Sequence, residues 1–265
     1  MAIAQIENTP ILGGTAPRQA QRTAQKLAGF ALRSLGSVQC SPQLERYLDV
    51  GCGNGFITEF VAPGFEEVVG IDVEETRLEE FRAHVSDRPN FKVLSMSSAE
   101  MELPSEFFSF ITCFEVLEHV ADLESTVREI IRVCKPGGII VISVPQVWFP
   151  FENHGARIGN RVFAGKIPLL PYVRPLHRKL SLARLFSSAE MDRLFLSKEV
   201  ELLATGYASP QFERAAARES SWESKFVFLR DILDRCEKIP VVRALTGVSM
   251  LKAYRKRHPP VSREA

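Results

Sequence analysis

Between Glu45 and Val144, apolar strand-like runs alternate strictly with helix-like segments. That rhythm is the strongest constraint on how the chain folds. The strands read Glu45 to Val50, Glu67 to Asp72, Phe91 to Met96, Phe107 to Phe114 and Ile139 to Val144. Helices are predicted from Phe56 to Val61, from Glu74 to Val85 and from Leu123 to Cys134, the last with Val127, Ile130, Ile131 and Cys134 on one face. Lys135-Pro-Gly-Gly138 breaks that helix. Near-continuous apolar strands separated by helices imply a parallel sheet covered on both faces.

Flanking this block, Met1 to Pro17 reads as a tail and Arg18 to Leu35 as a helix with Leu27, Phe30, Ala31 and Leu35 on one face. After Pro145 the rhythm is lost across Gln146 to Phe186. It returns with a helix over Ser187–Ser197, for which Ser188 is the expected N-cap, and a sixth strand over Glu199–Tyr207. Glu213 to Glu237 is expected to be partly helical. Ser249 to Lys256 alternates and is expected to end the fold as an edge strand guarded by charges. The 265 residues suit one α/β domain, divided as 1–36, 37–145, 146–186 and 187–265.

Composition narrows the function. A formal net charge of +1 names no polyanionic partner, and a nucleic-acid binder is expected to show a basic excess. No apolar run approaches the ~18 residues of a membrane span. Met1 to Gly14 has no basic residue ahead of an apolar stretch, so no secretory signal is expected and the location is expected to be cytoplasmic. Cys40, Cys52, Cys113, Cys134 and Cys236 are scattered, without metal or redox spacing, and read as reduced thiols, mostly in the core.

Asp49-Val-Gly-Cys-Gly-Asn-Gly55 ends the first strand. Glycines there permit a sharp turn and a close approach of backbone to ligand. A tight strand-to-helix turn would use the same residues. A dinucleotide loop is a further alternative, although its usual spacing is G-x-G-x-x-G rather than G-x-G-x-G. Asp72 ends the next strand about twenty residues on, where a carboxylate receives the ribose of an adenosine or caps the following helix.

Two later runs distinguish these alternatives: Phe108-Ser-Phe-Ile-Thr-Cys-Phe-Glu-Val-Leu-Glu-His-Val120 and Arg132-Val-Cys-Lys-Pro-Gly-Gly-Ile-Ile-Val-Ile-Ser-Val-Pro145. With the glycine loop and Asp72, the stretch Tyr47 to Pro145 resembles the class I S-adenosylmethionine-dependent methyltransferases of the small-molecule type, closest to those of ubiquinone and menaquinone biosynthesis. The resemblance implies a doubly wound, mostly parallel seven-stranded sheet of Rossmann-like type, with a lid insert after the fifth strand. It implies S-adenosylmethionine as cofactor, held by Asp49, Gly51, Gly53, Gly55, Asp72, Ser98, Ala99, Phe114 and Glu115. Relatives often carry an acid where Ser98 stands, so the Ser98 hydroxyl or the Ala99 amide takes the adenine here. Ser109 stands where they usually have Asp.

Transfer of an activated methyl to oxygen asks for alignment and a base. His119 and His154 are the candidates, with a structural role for His119 the alternative. In the ubiquinone O-methyltransferases and in small-RNA methyltransferases a Glu-x-x-Glu-His group similar to Glu115, Glu118 and His119 binds a metal, with His154 in place to follow it. Relatives without a metal share the pattern, and no metal is expected. His84, His177 and His258 are expected at the surface.

The segment Asn153 to Ala189 contains no acid, and its basic and apolar residues interleave. Such a lid suits a small hydrophobic or lipid-like acceptor, or peripheral contact with an anionic membrane. A solvated basic face is the plain alternative. The expected activity is methyl transfer to such an acceptor, at oxygen, with carbon or nitrogen transfer or an RNA substrate as alternatives.

Overall fold

The computed structural model describes residues 17–36, 44–163, 167–196, 199–208 and 247–258. The expected N-terminal tail, Cys40, Cys236 and the helix within 213–237 lie outside the described residues. In chain order the elements begin with α1 (Pro17–Gly36), β1 (Arg46–Val50), α2 (Thr58–Val61), β2 (Glu67–Asp72), α3 (Glu75–His84), β3 (Phe91–Ser95), β4 (Phe108–Phe114), α4 (Leu123–Val133) and β5 (Cys134–Pro145). Next come β6 (Phe151–Glu152), β7 (Ala156–Ile158), β8 (Arg161–Phe163), β9 (Ile167–Pro168), a 3₁₀ turn at Leu170–Tyr172 and α5 (Arg174–Leu180). The last are α6 (Ser188–Phe195), β10 (Val200–Ala208) and β11 (Ser249–Lys256).

The chain forms two compact units. The larger comprises the described residues of 24–144, 188–205 and 251–265; the other comprises those of 1–23, 145–187 and 206–250. Seven strands form one sheet in the order β10-β11-β5-β4-β1-β2-β3. The pairs β2–β3, β1–β2, β1–β4 and β4–β5 are all parallel. All seven residues of β4 are buried, as a central strand covered on both faces requires. Around it pack Tyr47, Phe65 and Phe110, with ring centroids 5.2–5.7 Å apart. Strand order reverses between β1 and β4, which puts the ligand crevice of such a sheet at their carboxyl ends.

α4 forms for local reasons. Asp122 caps it by accepting the Ser125 amide at 2.9 Å, and Thr126, Val127, Ile130 and Val133 are buried. The Lys135-Pro-Gly-Gly138 break proves to be a bulge within β5, whose register shifts between the Phe108 and Phe110 pairings.

Three expectations are corrected. β11 is no edge strand: it lies between β10 and β5, and six of its eight residues are buried in succession. Its lysines therefore guard nothing. Lys252, 1% exposed, donates to Asp192 Oδ1 at 2.8 Å and Ser188 Oγ at 2.7 Å. Lys256 donates to the carbonyls of Ile131 and Cys134. Ser188 is the first residue of α6, and its hydroxyl receives Lys252. His177 is buried, as described below, whereas His84 and His258 are exposed.

The stretch 146–186, without rhythm in the sequence, contains two small antiparallel ladders, β6–β9 and β7–β8. Among the described residues no helix is long and apolar enough to cross a membrane.

Candidate active site

The loop after β1 is fixed from below. The amides of Gly51 and Cys52 both donate to the Ile71 carbonyl, at 2.8 and 3.0 Å, which ties the loop to the end of β2. Gly51, Gly53 and Gly55 all have positive φ, at 74°, 53° and 79°. Two of them are glycines for the sake of the fold. A Cβ at Gly51 would stand 2.2 Å from Val116 Cγ2, and one at Gly55 2.1 Å from Phe81 Cδ2. Gly53 differs, since a Cβ there would meet only the flexible Arg77 side chain, at 3.2 Å. It is the position where the missing side chain leaves room.

Asp72 unites the two strand ends. Its Oδ2 accepts the Gly53 amide at 2.9 Å, and its Oδ1 accepts the amides of Val73 and Glu74 at 2.7 and 3.0 Å. It anchors the loop and holds the two amides ahead of α3, whose N-cap is Glu74, so the alternative role as helix cap is not the one it plays. A carboxylate has about four lone-pair sites, so roughly one remains for a ligand hydroxyl.

Asp49 is 3% exposed and faces inward. It accepts Thr58 Oγ1 at 2.5 Å and Thr112 Oγ1 at 2.7 Å, and Thr112 lies 2.6 Å from Tyr47 Oη. The parallel register that pairs Asp49 with Thr112 makes this bond. Burial pushes the carboxyl up to about 6 against the opposing bonds from Thr58 and Thr112. Both oxygens are engaged inside the protein, so Asp49 shapes the loop from behind.

At the end of β3, Ser98 Oγ lies 3.4 Å from Thr126 Oγ1, and the Ala99 amide donates to Ser97 Oγ at 3.3 Å. Arg132, unmarked in the sequence reading, pins this loop. Its guanidinium donates to the carbonyls of Met101 and Leu103, to Ser105 Oγ and to Glu129. At the end of β4, Glu115 has φ 55° and its carboxylate accepts Ser143 Oγ at 2.6 Å. Phe114 is 7% exposed. Burial and the neighbouring Glu115 push Glu118 well above the carboxylate range. His119 Nε2 lies 3.9 Å from Glu118 Oε1.

Solved structures share this architecture. An S-adenosylmethionine-dependent methyltransferase from Mesorhizobium loti superposes with a TM-score of 0.57 at 17% identity, covering 92% of this chain and all of the other. A geranyl diphosphate methyltransferase in complex with its cofactor superposes at 0.58 and 18% identity, covering 92% and 93%. The chain has the S-adenosylmethionine-dependent methyltransferase fold. Residues 48–142 match the family described as methyltransferase domain. Within that domain lie Asp49, the glycine loop, Asp72, Ser98, Ala99, Glu115 and His119. A ubiquinone biosynthesis O-methyltransferase of Nitrosospira multiformis is 36% identical over 99 residues, 36% of this chain and 41% of that protein. One from Azoarcus is 36% identical over 107 residues, 39% and 46%. The chain thus spans less than half the length of the curated relatives it matches.

The second unit holds His154, outside the methyltransferase domain match, and a cluster that the sequence reading missed. Glu152, with no exposed surface, accepts the His154 amide at 2.6 Å and Ser181 Oγ at 2.9 Å, and it pairs with His177 Nε2. Burial pushes Glu152 up, but the bonds from His154 and His177 outweigh it and hold the carboxyl at about 2. The signal lay in composition: Glu152 is the last acid before the acid-free stretch, next to one histidine and in reach of another.

Proposed function

We propose that this chain is an S-adenosylmethionine-dependent methyltransferase acting on a small hydrophobic or lipid-like acceptor, at oxygen. The single observation that carries it is Asp72 joined to Gly53 at the carboxyl ends of β1 and β2, beside the switch point. These residues fit the cofactor: a carboxylate for a ribose hydroxyl, a loop open at Gly53, and Ser98 and Ala99 on the adenine side. When bound, the cofactor supplies a sulfonium-activated methyl group. Phe114 and Glu115 would line its methionine end, and His119 or His154 would take the proton of the acceptor hydroxyl.

The acceptor class rests on the names of the relatives and on the insert. Among the described residues, eight of the 13 exposed large apolar side chains lie from Trp148 to Leu176, interleaved with arginines and lysines. The same surface supports peripheral contact with an anionic membrane and selection of the acceptor by residues 146–186. The chain is expected to sediment with vesicles containing phosphatidylglycerol and not with neutral ones, and Ile158→Asp with Phe163→Asp should abolish it.

The test of activity is transfer of radiolabelled methyl from the cofactor into a lipid-rich extract, followed by identification of the product. No incorporation, or incorporation only into RNA, would refute the acceptor class. Full turnover in both His119→Ala and His154→Ala, with and without a chelator, would move the acceptor atom to carbon or nitrogen.

A further inference from the structure

The chain from Met96 to Phe107, between β3 and β4, has neither helix nor strand, and it carries Ser98 and Ala99. The bonds at Ser97 to Glu100 are long. Ser98 Oγ stands 3.4 Å from Thr126 Oγ1, the Ala99 amide 3.3 Å from Ser97 Oγ and the Glu100 amide 3.4 Å from the Ser97 carbonyl. The bonds on either side are short. The Met96 amide donates to the Asp72 carbonyl at 2.9 Å. The Met101 amide donates to Glu129 Oε2 at 2.8 Å, and Arg132 donates to the Met101 and Leu103 carbonyls and to Ser105 Oγ, each at 2.9 Å. Glu129 aims that guanidinium, accepting its Nε at 2.7 Å and its Nη2 at 2.8 Å. All the N–H groups of Arg132 are thereby used. A good hydrogen bond to oxygen is about 2.5–3.2 Å long, so the ends of this loop, and not its middle, decide where it stands. Thr126, Glu129 and Arg132 follow one another at helical spacing, on one face of α4.

We propose that Glu129 and Arg132 are positioning residues for the cofactor: from α4 they hold the main chain at Met101 to Ser105, and so set where Ser98 and Ala99 meet the base. This rests on the assignment of Ser98 and Ala99 to the adenine side made above. A planar fork grips two carbonyls, a hydroxyl and a carboxylate at once, and an ammonium, a point charge on a flexible stem, does not replace it. Cofactor affinity therefore depends more on Arg132, which acts through the loop, than on the Ser98 hydroxyl beside the ligand.

Calorimetric titration of the full chain with S-adenosylhomocysteine, the demethylated cofactor, separates affinity from the folded fraction, which is read as stoichiometry. Arg132→Lys keeps the charge and loses the fork. It should weaken binding about 10- to 100-fold at unchanged stoichiometry, whereas Ser98→Ala should stay within about threefold. Amide hydrogen exchange of the free chain locates the cause: residues 98–103 should exchange faster in Arg132→Lys, and residues 51–55 as in wild type. Glu129→Gln should repeat both effects. By reciprocity the ligand should slow exchange of the wild-type Met101 amide, the one that Glu129 holds. Unchanged affinity in folded Arg132→Lys overturns the proposal, and so does a larger loss in Ser98→Ala. No slowing at Met101 in saturated wild type overturns it even if both α4 variants fail to fold. Absence of binding by wild type would remove the cofactor assignment together with this one. Binding by wild type with equal affinity in Arg132→Lys would remove this one alone.

Discussion

The Gly53 amide donates to Asp72 Oδ2 at 2.9 Å, so one hydrogen bond joins the turn after β1 to the end of β2. Whatever binds at these strand ends meets a loop whose position depends on a carboxylate nineteen residues on.

Asp72→Ala therefore acts twice, removing a ligand acceptor and the loop anchor. S-adenosylmethionine binding, read by calorimetric titration, should weaken by about 1–3 kcal/mol, the cost of losing hydrogen bonds to a charged group. Asp72→Asn keeps an acceptor oxygen and should lose less. Unchanged affinity in a folded Asp72→Ala would remove Asp72 from the site.

The three glycines of the loop should separate by phenotype. Gly51→Ala and Gly55→Ala combine positive φ with contacts of 2.2 and 2.1 Å to Val116 and Phe81, and each should cost about 2–5 kcal/mol of stability in denaturant melts. Gly53→Ala meets only Arg77 and should cost stability little beyond its backbone strain, about 1–2 kcal/mol. Gly53→Val should impair cofactor binding more than stability. Equal destabilisation by Ala at all three positions would contradict this division.

Asp49 makes stability fall with rising pH. Its ordinary value, 3.8, lies below the native value of about 6, so the folded chain keeps a proton that the unfolded chain releases. The contribution declines between about pH 4 and pH 6, by roughly 3 kcal/mol in all. Asp49→Asn, which cannot ionise, should flatten that part of the melting-temperature profile. A profile as steep as wild type would show that Asp49 is not its source.

Glu152 has the opposite sign. Its carboxyl is held at about 2 against an ordinary 4.5, so it stabilises the folded form above that ordinary value and the stability is lost as pH falls from 4.5 toward 2. Hydrogen exchange at the amides of His177 and Ser181 should accelerate across that window in wild type, and His154, His177 and Ser181 are the donors whose bonds would break. Exchange there that does not respond to pH would remove Glu152 as the cause.

Lys252 tests the pair that this buried lysine makes with the half-buried Asp192. Lys252→Ala leaves a cavity and takes a donor from Asp192, which water still reaches, and should cost about 2–3 kcal/mol. Lys252→Met keeps the volume, and combined with Asp192→Leu it should recover most of that loss in thermal melts. Equal loss in the double variant would mean the pair is needed as charges.

Much of the site was legible in the chain because local chemistry fixes it. Apolar runs gave four of the five parallel strands within a residue or two, while the fifth starts at Cys134, five residues before its apolar run; the placement of Asp49, Gly51, Gly53, Gly55 and Asp72 at strand ends follows from that alternation alone. What each residue faces was decided only by packing across long separations. The register that pairs Asp49 with Thr112 turned that acid inward, and Phe81 and Val116 explain two of the three glycines. The alternation of Ser249 to Lys256 looked like an edge because Lys252 and Lys256 are charged. Asp192 and the carbonyls of Ile131 and Cys134, distant in sequence, let both lysines be buried in an interior strand. His177 looked solvated for the same reason, until Glu152 came to meet it. Period and composition determine where strands run and where they turn. Which polar groups find partners when buried depends on contacts that no local pattern encodes, because burial is tolerated only where such a partner arrives from elsewhere in the fold.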